Sequence, residues 1–429
     1  MRRPLALLLL PVLISGLARS THAQETVTLS EAVRLALERS PDAIGARGAT
    51  RVAQAGVLEA RGAWLPSLSA NSTYSNSSNE RFDQSTGRLV SESYTAQVQA
   101  GYDLFTGGRK VASWQAASAG LRAAEARERG QRYDTILDTT IVFYQAAAAE
   151  ELLVAAGQRL ERATRQREFA ETRRLIGTAT RSDALRAELE EADAELAVID
   201  AEAQLRTARL ALGRQVGRPG AVQPAPGALP EEPPAVPPIA TLIARAEANA
   251  PDAVAARAEL DRAGSVKLQA WTQYSPSLRL TGGYDWFSFE WPPDQESWSV
   301  RLTASLPIFN GFSREAQVAR AEADRRTAEA EARDATLLAR ATVEDAAGQI
   351  ETTARRIEIA ARALELARED LRVIEERYQL GASTILDLQT SQIALADAEV
   401  GWVRARQDLG VAVAALEAEL GEPLREVGP

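Results

Sequence analysis

Cysteine is absent from the 429 residues, and histidine occurs once, as His22. The first absence excludes disulfides, thiolate metal sites and thiol nucleophiles, and in a bacterial chain it excludes a lipid anchor on an N-terminal cysteine. His22 lies in a segment read below as removed, so the mature chain also lacks the commonest zinc ligand and general base. Lysine is nearly missing, with only Lys110 and Lys267. Chemistry would therefore fall to carboxylates, Arg, Tyr and Ser, and no GxxxxGK, GxGxxG, HExxH or GxSxG motif is present to organise it. These gaps argue against an enzyme, and no cofactor or metal is expected. Beyond the first 23 residues there is no apolar run of about 18, so no transmembrane helix is expected in the mature chain. Any membrane insertion has to be through strands.

Hydrophobic residues make up 45% of the chain and charged ones 25%, enough to bury a core over several domain-sized units. The formal charge of -10 becomes -13 once Arg2, Arg3 and Arg19 are removed with the leader, which argues against a nucleic-acid partner. Residues 1–23 read as a secretory signal peptide: Arg2 and Arg3, an apolar stretch from Leu5 to Leu17, then Thr21-His22-Ala23 at a plausible cleavage site. The competing reading, a membrane-anchoring helix, is weakened by Pro11 and Gly16 and by a length short of the ~20 residues that span a bilayer.

The remainder repeats itself. Ser40-Pro41-Asp42-Ala43 returns as Ala250-Pro251-Asp252-Ala253, and Trp64-Leu65-Pro66-Ser67-Leu68 as Tyr274-Ser275-Pro276-Ser277-Leu278, both at a shift of 210. Further on the shift is 204. Leu104-Phe105-Thr106-Gly107 matches Ile308-Phe309-Asn310-Gly311, and Gly217-Arg218-Pro219 matches Gly421-Glu422-Pro423. The change in shift falls between two predicted strands, where a surface loop changes length cheaply. The repeat predicts a first unit at 24–217, a second at 239–423 and a tail at 424–429, joined by residues 218–238, whose eight prolines read as an extended connector.

Each unit is expected to run helix, strand, strand, long helix, turn, helix. In the first, Ser30 to Ala63 reads as one helix with Ser30 at the N-cap position, stopped by Pro66. Strands follow at about 67–80 and 90–105 around a polar loop with Asp83, Ser85 and Gly87; their counterparts are at about 277–290 and 297–309. Alternation is strict in Tyr94, Ala96, Val98, Ala100, Tyr102, Leu104 against Thr95, Gln97, Gln99, Gly101, Asp103. It recurs in Trp298, Val300, Leu302, Ala304, Leu306, Ile308 against Ser299, Arg301, Thr303, Ser305. Tyr284 and Trp286 extend the same face, with aromatics near the loop side as in an interfacial girdle. Such a face packs either on a helix in a soluble hairpin or against lipid. Export and an apolar face of about 11 residues, near the span of a tilted membrane strand, favour lipid. Four strands cannot close a barrel when the smallest have about eight, so strands must be pooled among copies.

Helical hairpins are predicted at 109–217 and 313–420, their long arms Lys110 to Leu175 and Ser313 to Leu380 each reaching ~100 Å at 1.5 Å per residue. Ile357, Ala360, Leu364, Ala367, Leu371, Ile374 and Tyr378 keep an unbroken 3-4 spacing, the seam of a coiled coil. A second stripe, Ile359, Ala363, Leu366 and Val373, runs beside it, so one helix can pack on both sides, as a wall of helices requires. The hairpins turn at Gly177-Thr178-Ala179-Thr180 and Gly381-Ala382-Ser383-Thr384. There Gly suits a left-handed C-cap, and Thr180 with Asp183, or Thr384 with Asp387, reads as a capping box.

This combination resembles the TolC family of outer-membrane efflux and secretion channels. The likeness rests on the tandem repeat, the Pro-initiated strand pairs and Tyr378-Gln379-Leu380-Gly381-Ala382-Ser383-Thr384-Ile385-Leu386-Asp387, similar to the family's Tyr-x-x-Gly-x-x-x-x-x-Asp signature. It implies a mixed α+β, mostly α membrane protein. Each protomer of a homotrimer would give four strands to a twelve-stranded β-barrel, with Tyr94, Val98, Tyr102, Tyr284, Trp286, Trp298, Val300 and Leu302 facing outer-membrane lipid. Its coiled-coil hairpins would build one third of a periplasmic α-barrel. It also implies passive conduction driven by an inner-membrane pump of RND, ABC or MFS type, reached through a periplasmic adaptor docked at Gly177, Thr178, Gly381, Ala382 and Ser383. Asp387 matches the acidic position that narrows the aperture, with Thr390 one turn on where a second acid can stand, and Ser383 stands where some members carry a latching Arg. Tyr378 and Asp183 match positions that hold the closed aperture, so Tyr378→Phe is expected to raise conductance. The competing readings are an exported coiled-coil adaptor or scaffold without a barrel, and a carboxylate-based hydrolase.

Overall fold

The computed structural model describes residues 26–83 and 87–424. The signal-peptide reading of 1–23, Ser85 and the tail beyond Leu424 lie outside the described residues. In the first unit, β1 (Thr26–Val27) leads into α1 (Leu29–Arg39) and α2 (Pro41–Gly62). Strands β2 (Ser67–Asp83) and β3 (Arg88–Phe105) follow, then the long helix α3 (Arg109–Leu175) and its return α4 (Arg181–Gln215). After β4 (Gln223–Pro224) the second unit runs α5 (Ile239–Asn249), α6 (Pro251–Trp271), β5 (Ser277–Ser288), β6 (Gln295–Ser305), α7 (Ser313–Gln379) and α8 (Ile385–Leu420).

The single helix expected over Ser30–Ala63 is two. Pro41 disfavours helical geometry at the residue before it, and Ser40 is extended there (φ -59°, ψ 133°). The Ser40 side chain then caps α2 by accepting from the Asp42 amide at 3.2 Å. The N-cap of α1 is Thr28, not Ser30: Thr28 Oγ1 accepts from the Glu31 amide at 3.3 Å. The second unit breaks at the same place, between α5 and α6 at Ala250–Pro251. β6 stops at Ser305, short of the 309 that alternation predicts, because Pro307 has no amide to give the ladder.

Residues 218–238 do more than span a gap. β4 pairs in parallel with β1, Val27 opposite Pro224, and the Ala225 amide donates to the Val27 carbonyl at 2.8 Å. Val222 and Leu229 are buried with Val27, Leu35, Phe143, Leu212 and Val216 in one core cluster. The prolines hide this from a reading of periodicity, since the apolar positions between them follow no repeat.

Near the sheet, α3 packs between α2 and α6, and α6 packs on α7; toward the hairpin turns, α3 packs between α4 and α8, and α8 packs on α7. The rows are thus α2-α3-α6-α7 and α4-α3-α8-α7. Alanine lines much of α3, including Ala119, Ala123, Ala126, Ala163 and Ala170, which are buried and let helices approach closely. The predicted seam on α7 buries Ile357, Leu364, Leu371 and Tyr378. Ala360, Ala367 and Ile374 pack against the clusters beside them. The second stripe is exposed within the chain, Ile359 at 62% and Leu366 at 70%. Among the described residues no helix is long and apolar enough to cross a membrane.

Candidate functional site

The two strand pairs form one antiparallel sheet in the order β2-β3-β5-β6, so β2 and β6 are its outer strands. Directly opposite residues of antiparallel strands share a face. The register places Tyr94 opposite Tyr74, Val98 opposite Ala70 and Tyr284, Tyr284 opposite Trp298, and Ala96 opposite Trp286. Tyr102 lies opposite Leu280 and Leu280 opposite Leu302, while Gly282 lies opposite Val300. All eight residues expected on a lipid face therefore lie on one face of the sheet. The other face carries Ser, Thr, Asn and Gln, with Asp103 held 3.5 Å from Arg279 and 3.9 Å from Arg109. The apolar face is uncovered: Trp298, Val300 and Leu302 are exposed in the single chain.

At the far end of the helices, both turns close in the same way. Gly177 (φ 78°) and Gly381 (φ 74°) adopt the left-handed conformation that glycine takes without a Cβ penalty. The Thr178 amide donates to the Arg173 carbonyl at 2.8 Å and the Gly177 amide to Arg174 at 3.1 Å. Ala382 to Arg377 (2.8 Å) and Gly381 to Tyr378 (3.1 Å) repeat this Schellman pattern. Capping boxes then start the return helices. Asp183 accepts from the Thr180 amide at 2.9 Å, and Asp387 accepts from the Thr384 amide at 2.9 Å, from its hydroxyl at 2.8 Å and from Ser383 Oγ at 3.1 Å. These bonds to the charged form, the backbone amide foremost, hold both carboxyls below the usual Asp range. Leu175, Ile176 and Leu380 are exposed at the tips, Leu380 at 85%.

Of the residues matched to an aperture, Asp387 and Asp183 are engaged in their own helix starts. The Thr390 hydroxyl donates back to the Leu386 carbonyl at 2.9 Å. Tyr378 is buried with Leu371, Ile385 and Leu388, and burial raises its hydroxyl above the ordinary tyrosine value. Among the described residues no hydrogen bond joins it to Asp183; the two are brought near each other beside Arg173. Arg173 is the residue the sequence does not announce. Its Nη1 donates to the Tyr378 carbonyl at 3.1 Å, while its guanidinium carbon lies 5.4 Å from the Tyr378 ring and 5.7 Å from that of Phe169. The only hint in the sequence is its counterpart Arg377, 204 residues on, beside the Tyr-x-x-Gly stretch.

The profile of the outer membrane efflux protein family matches residues 32–218 and 242–422, leaving out the proline-rich segment between the repeats. Protein CyaE of Bordetella pertussis is 27% identical over 310 residues, which cover 70% of this chain. The chain spans 65% of that relative's length. The open-state MtrE outer membrane channel of Neisseria gonorrhoeae superposes with a TM-score of 0.78 at 24% identity, over 92% of this chain and 89% of that one. The outer membrane protein VceC of Vibrio cholerae gives 0.76 at 20% identity, over 92% and 97%. At such identities these two likenesses establish the fold.

Proposed function

The chain belongs to the outer membrane efflux protein family, and from that premise we propose that three copies assemble into one passive conduit across the outer membrane. Members of the family are outer-membrane transport proteins and not enzymes. The observation that carries the trimer is the sheet: four strands, an uncovered apolar face and outer strands β2 and β6. With strict antiparallel order, β2 and β5 run one way and β3 and β6 the other, so β6 of one copy meets β2 of the next antiparallel. Three copies give twelve strands, enough to close around a polar lumen. The row α4-α3-α8-α7 closes with it, the exposed stripe of Ile359, Leu366 and Val373 on α7 meeting exposed Leu185, Leu189, Leu196 and Ile199 on α4 of the next copy.

In this assembly the apolar face carrying Tyr94, Val98, Tyr102, Tyr284, Trp286, Trp298, Val300 and Leu302 meets lipid, and the helices stand in the periplasm. The tips around Gly177, Thr178, Gly381, Ala382 and Ser383 receive a periplasmic adaptor. Three copies of Asp387 ring the narrow end, with Thr390, Tyr378 and Asp183 behind them. Energy comes from an inner-membrane pump of RND, ABC or MFS type, and the conduit serves tripartite efflux or type I secretion. The test is the oligomeric mass and bilayer conductance of protein extracted from an outer-membrane fraction in mild detergent. A conducting trimer is expected. A monomer or dimer released without detergent overturns the barrel.

A further inference from the structure

Near the sheet the helices form the row α2-α3-α6-α7, so α3 meets α6 where the first unit abuts the second within one chain. In the proposed trimer this joint recurs where α7 meets α2 of the next copy, just as β6 meets its β2. The repeat sets the register of the outer joint: residues on the α3 side move by 204 and those on the α6 side by 210. The two corners that enter the joints have the same backbone. Gly107 and Gly108 have φ 61° and 91°, and Gly311 and Phe312 have φ 66° and 63°. Each then starts its helix with the same bond, Ala112 amide to Gly108 carbonyl and Ala316 to Phe312, both at 3.0 Å.

What the corners meet is different. Within the chain, a Cβ added to Gly107 would stand 2.2 Å from the Ser275 Cβ, and one added to Gly108 would point at the Thr272 methyl, 3.8 Å away. In the outer joint the sizes are exchanged, because position 108 becomes Phe312 and position 272 becomes Gly62. Among the described residues a Cβ at Gly62 would meet no atom within 4 Å, so the end of α2 presents an open notch. Phe312 is the one non-glycine with a left-handed φ among the described residues, a conformation that a bulky side chain keeps only where its surroundings demand it. Yet in the single chain it is 69% exposed, edge-on to an exposed Phe309 at 5.5 Å, so the demand comes from outside the chain. The neighbouring register agrees. Ala112, Ala119 and Ala126 are buried on α3, while their counterparts Ala316, Ala323 and Ala330 on α7 are equally small but exposed. Phe105 pairs with Leu278, and the same shift brings exposed Phe309 to exposed Leu68 of the next copy.

We propose that Phe312 of each copy is a knob seated over Gly62 of the next, locking the protomers together at the corner between barrel and helices. The inner joint has no room for a ring and the outer joint leaves a void without one, so the two are not interchangeable. Phe312 is a positioning residue, and the lock rests on the trimer proposed above. Because the chain has no cysteine, introduced cysteines report the joint cleanly. Ser113 and Gln269 bond across the inner joint at 3.0 Å, so Gln317 and Glu59 mark the outer one. Chains with Q317C coexpressed with chains with E59C should give a covalent dimer with a short bismaleimide, and neither alone should. Exchange of protomers between two differently tagged trimer populations in mild detergent then measures the lock. F312G removes the knob and G62T fills the notch; each should speed exchange roughly tenfold or more, the scale of one buried aromatic side chain. F312G/G62T recreates the glycine and threonine of the inner joint and should return most of the wild-type rate. Glycine relieves the left-handed strain, so F312G should keep the helical signal of wild type, and weakening of its trimer is not loss of fold. A trimer whose exchange is unchanged in both single variants leaves Phe312 to lipid and overturns the lock, as does a double variant that exchanges as fast as the singles. A trimer that gives no cross-link between positions 59 and 317 overturns the register on which the lock depends. Wild-type protein that extracts as a monomer sinks the trimer itself and the lock with it.

Discussion

Arg406 fastens the proline-rich segment to the helices, and its removal has a calculable effect. The side chain is 7% exposed. Its Nη1 donates to both carboxylate oxygens of Glu151, at 2.8 and 3.1 Å, its Nη2 to the Leu229 carbonyl at 2.8 Å and its Nε to that of Pro230 at 3.4 Å. The Trp402 ring lies 5.6 Å away. Breaking a buried ion pair from one side costs about 3–5 kcal/mol. Glu151 is 32% exposed, so water recovers part of the orphaned charge and the lower end applies. The carbonyls of Leu229 and Pro230 lose donors at the same time, each worth about 1 kcal/mol. R406A should therefore cost about 5 kcal/mol, roughly a few thousandfold in an equilibrium constant.

The assay is native-state hydrogen exchange at Val222 and Ala225, whose amides donate to the carbonyls of Arg209 at 3.1 Å and Val27 at 2.8 Å. If Arg406 holds the segment, both amides exchange roughly a thousandfold or more faster in R406A, because local opening carries the lost free energy. R406K should fall between, because one ammonium nitrogen replaces the three nitrogens with which the guanidinium reaches its partners. E151Q should do less than R406A, since the two carbonyl contacts survive. Wild-type exchange at Val222 and Ala225 in R406A would refute the reasoning and leave the β1–β4 pair as the anchor.

Loss of either N-cap threonine, T180A or T384A, should cost about 1 kcal/mol and speed exchange in the first turn of α4 or α8 alone. Asp183 and Asp387 are held below their unfolded pKa by those same turns. Their contribution is present above about pH 4 and is lost as pH falls through the folded values. The tips should loosen in acid, and D183N/D387N should abolish that pH dependence of tip exchange. On the sheet, L302R should lower the yield of assembled trimer, because arginine deep on a lipid face costs about 2–4 kcal/mol. T303R on the opposite face should be tolerated, and equal yields would reverse the assignment of faces.

Much of the architecture is legible from pattern alone. The period-2 alternation of β3 and β6 and the 3-4 spacing of α7 are dense enough to survive single exceptions, and the repeat doubles every signal. The tips are legible for a local reason: a glycine and a Thr-x-x-Asp decide C-cap and N-cap within seven residues. Illegible features depend on partners far along the chain. Arg173 meets Tyr378 at a separation of 205 residues and Arg406 meets Glu151 at 255, and nothing beside either arginine marks it among the other basic helix positions. The break at Ser40–Pro41 is local but hidden, because apolar spacing runs on across it. The N-cap of α1 falls to Thr28 for a similar reason: β1 pairing places the turn two residues earlier than the helical pattern suggests.

The two units agree chemically where they meet the same environment and diverge where they do not. Each strand pair hands over to a long helix through a left-handed residue without a side-chain cap, Gly108 (φ 91°) or Phe312 (φ 63°). In each unit a buried cation donates to the carbonyls arriving there. Lys110 Nζ donates to the Asp103 carbonyl at 2.6 Å beneath Tyr102 and Trp64, at 4.6 and 5.7 Å. Arg314, 204 residues on, donates to the carbonyls of Pro307 and Ile308, at 2.7 and 2.9 Å, with its guanidinium carbon 4.7 Å from the Tyr274 ring. Toward its own unit each crossing has the same surroundings, so lysine and arginine reach one solution. At the tips the surroundings differ in the proposed trimer, where one flank of each hairpin faces its own chain and the other would face a second copy. There the paired positions part company, Phe169 against Val373 and Gln389 against Leu185.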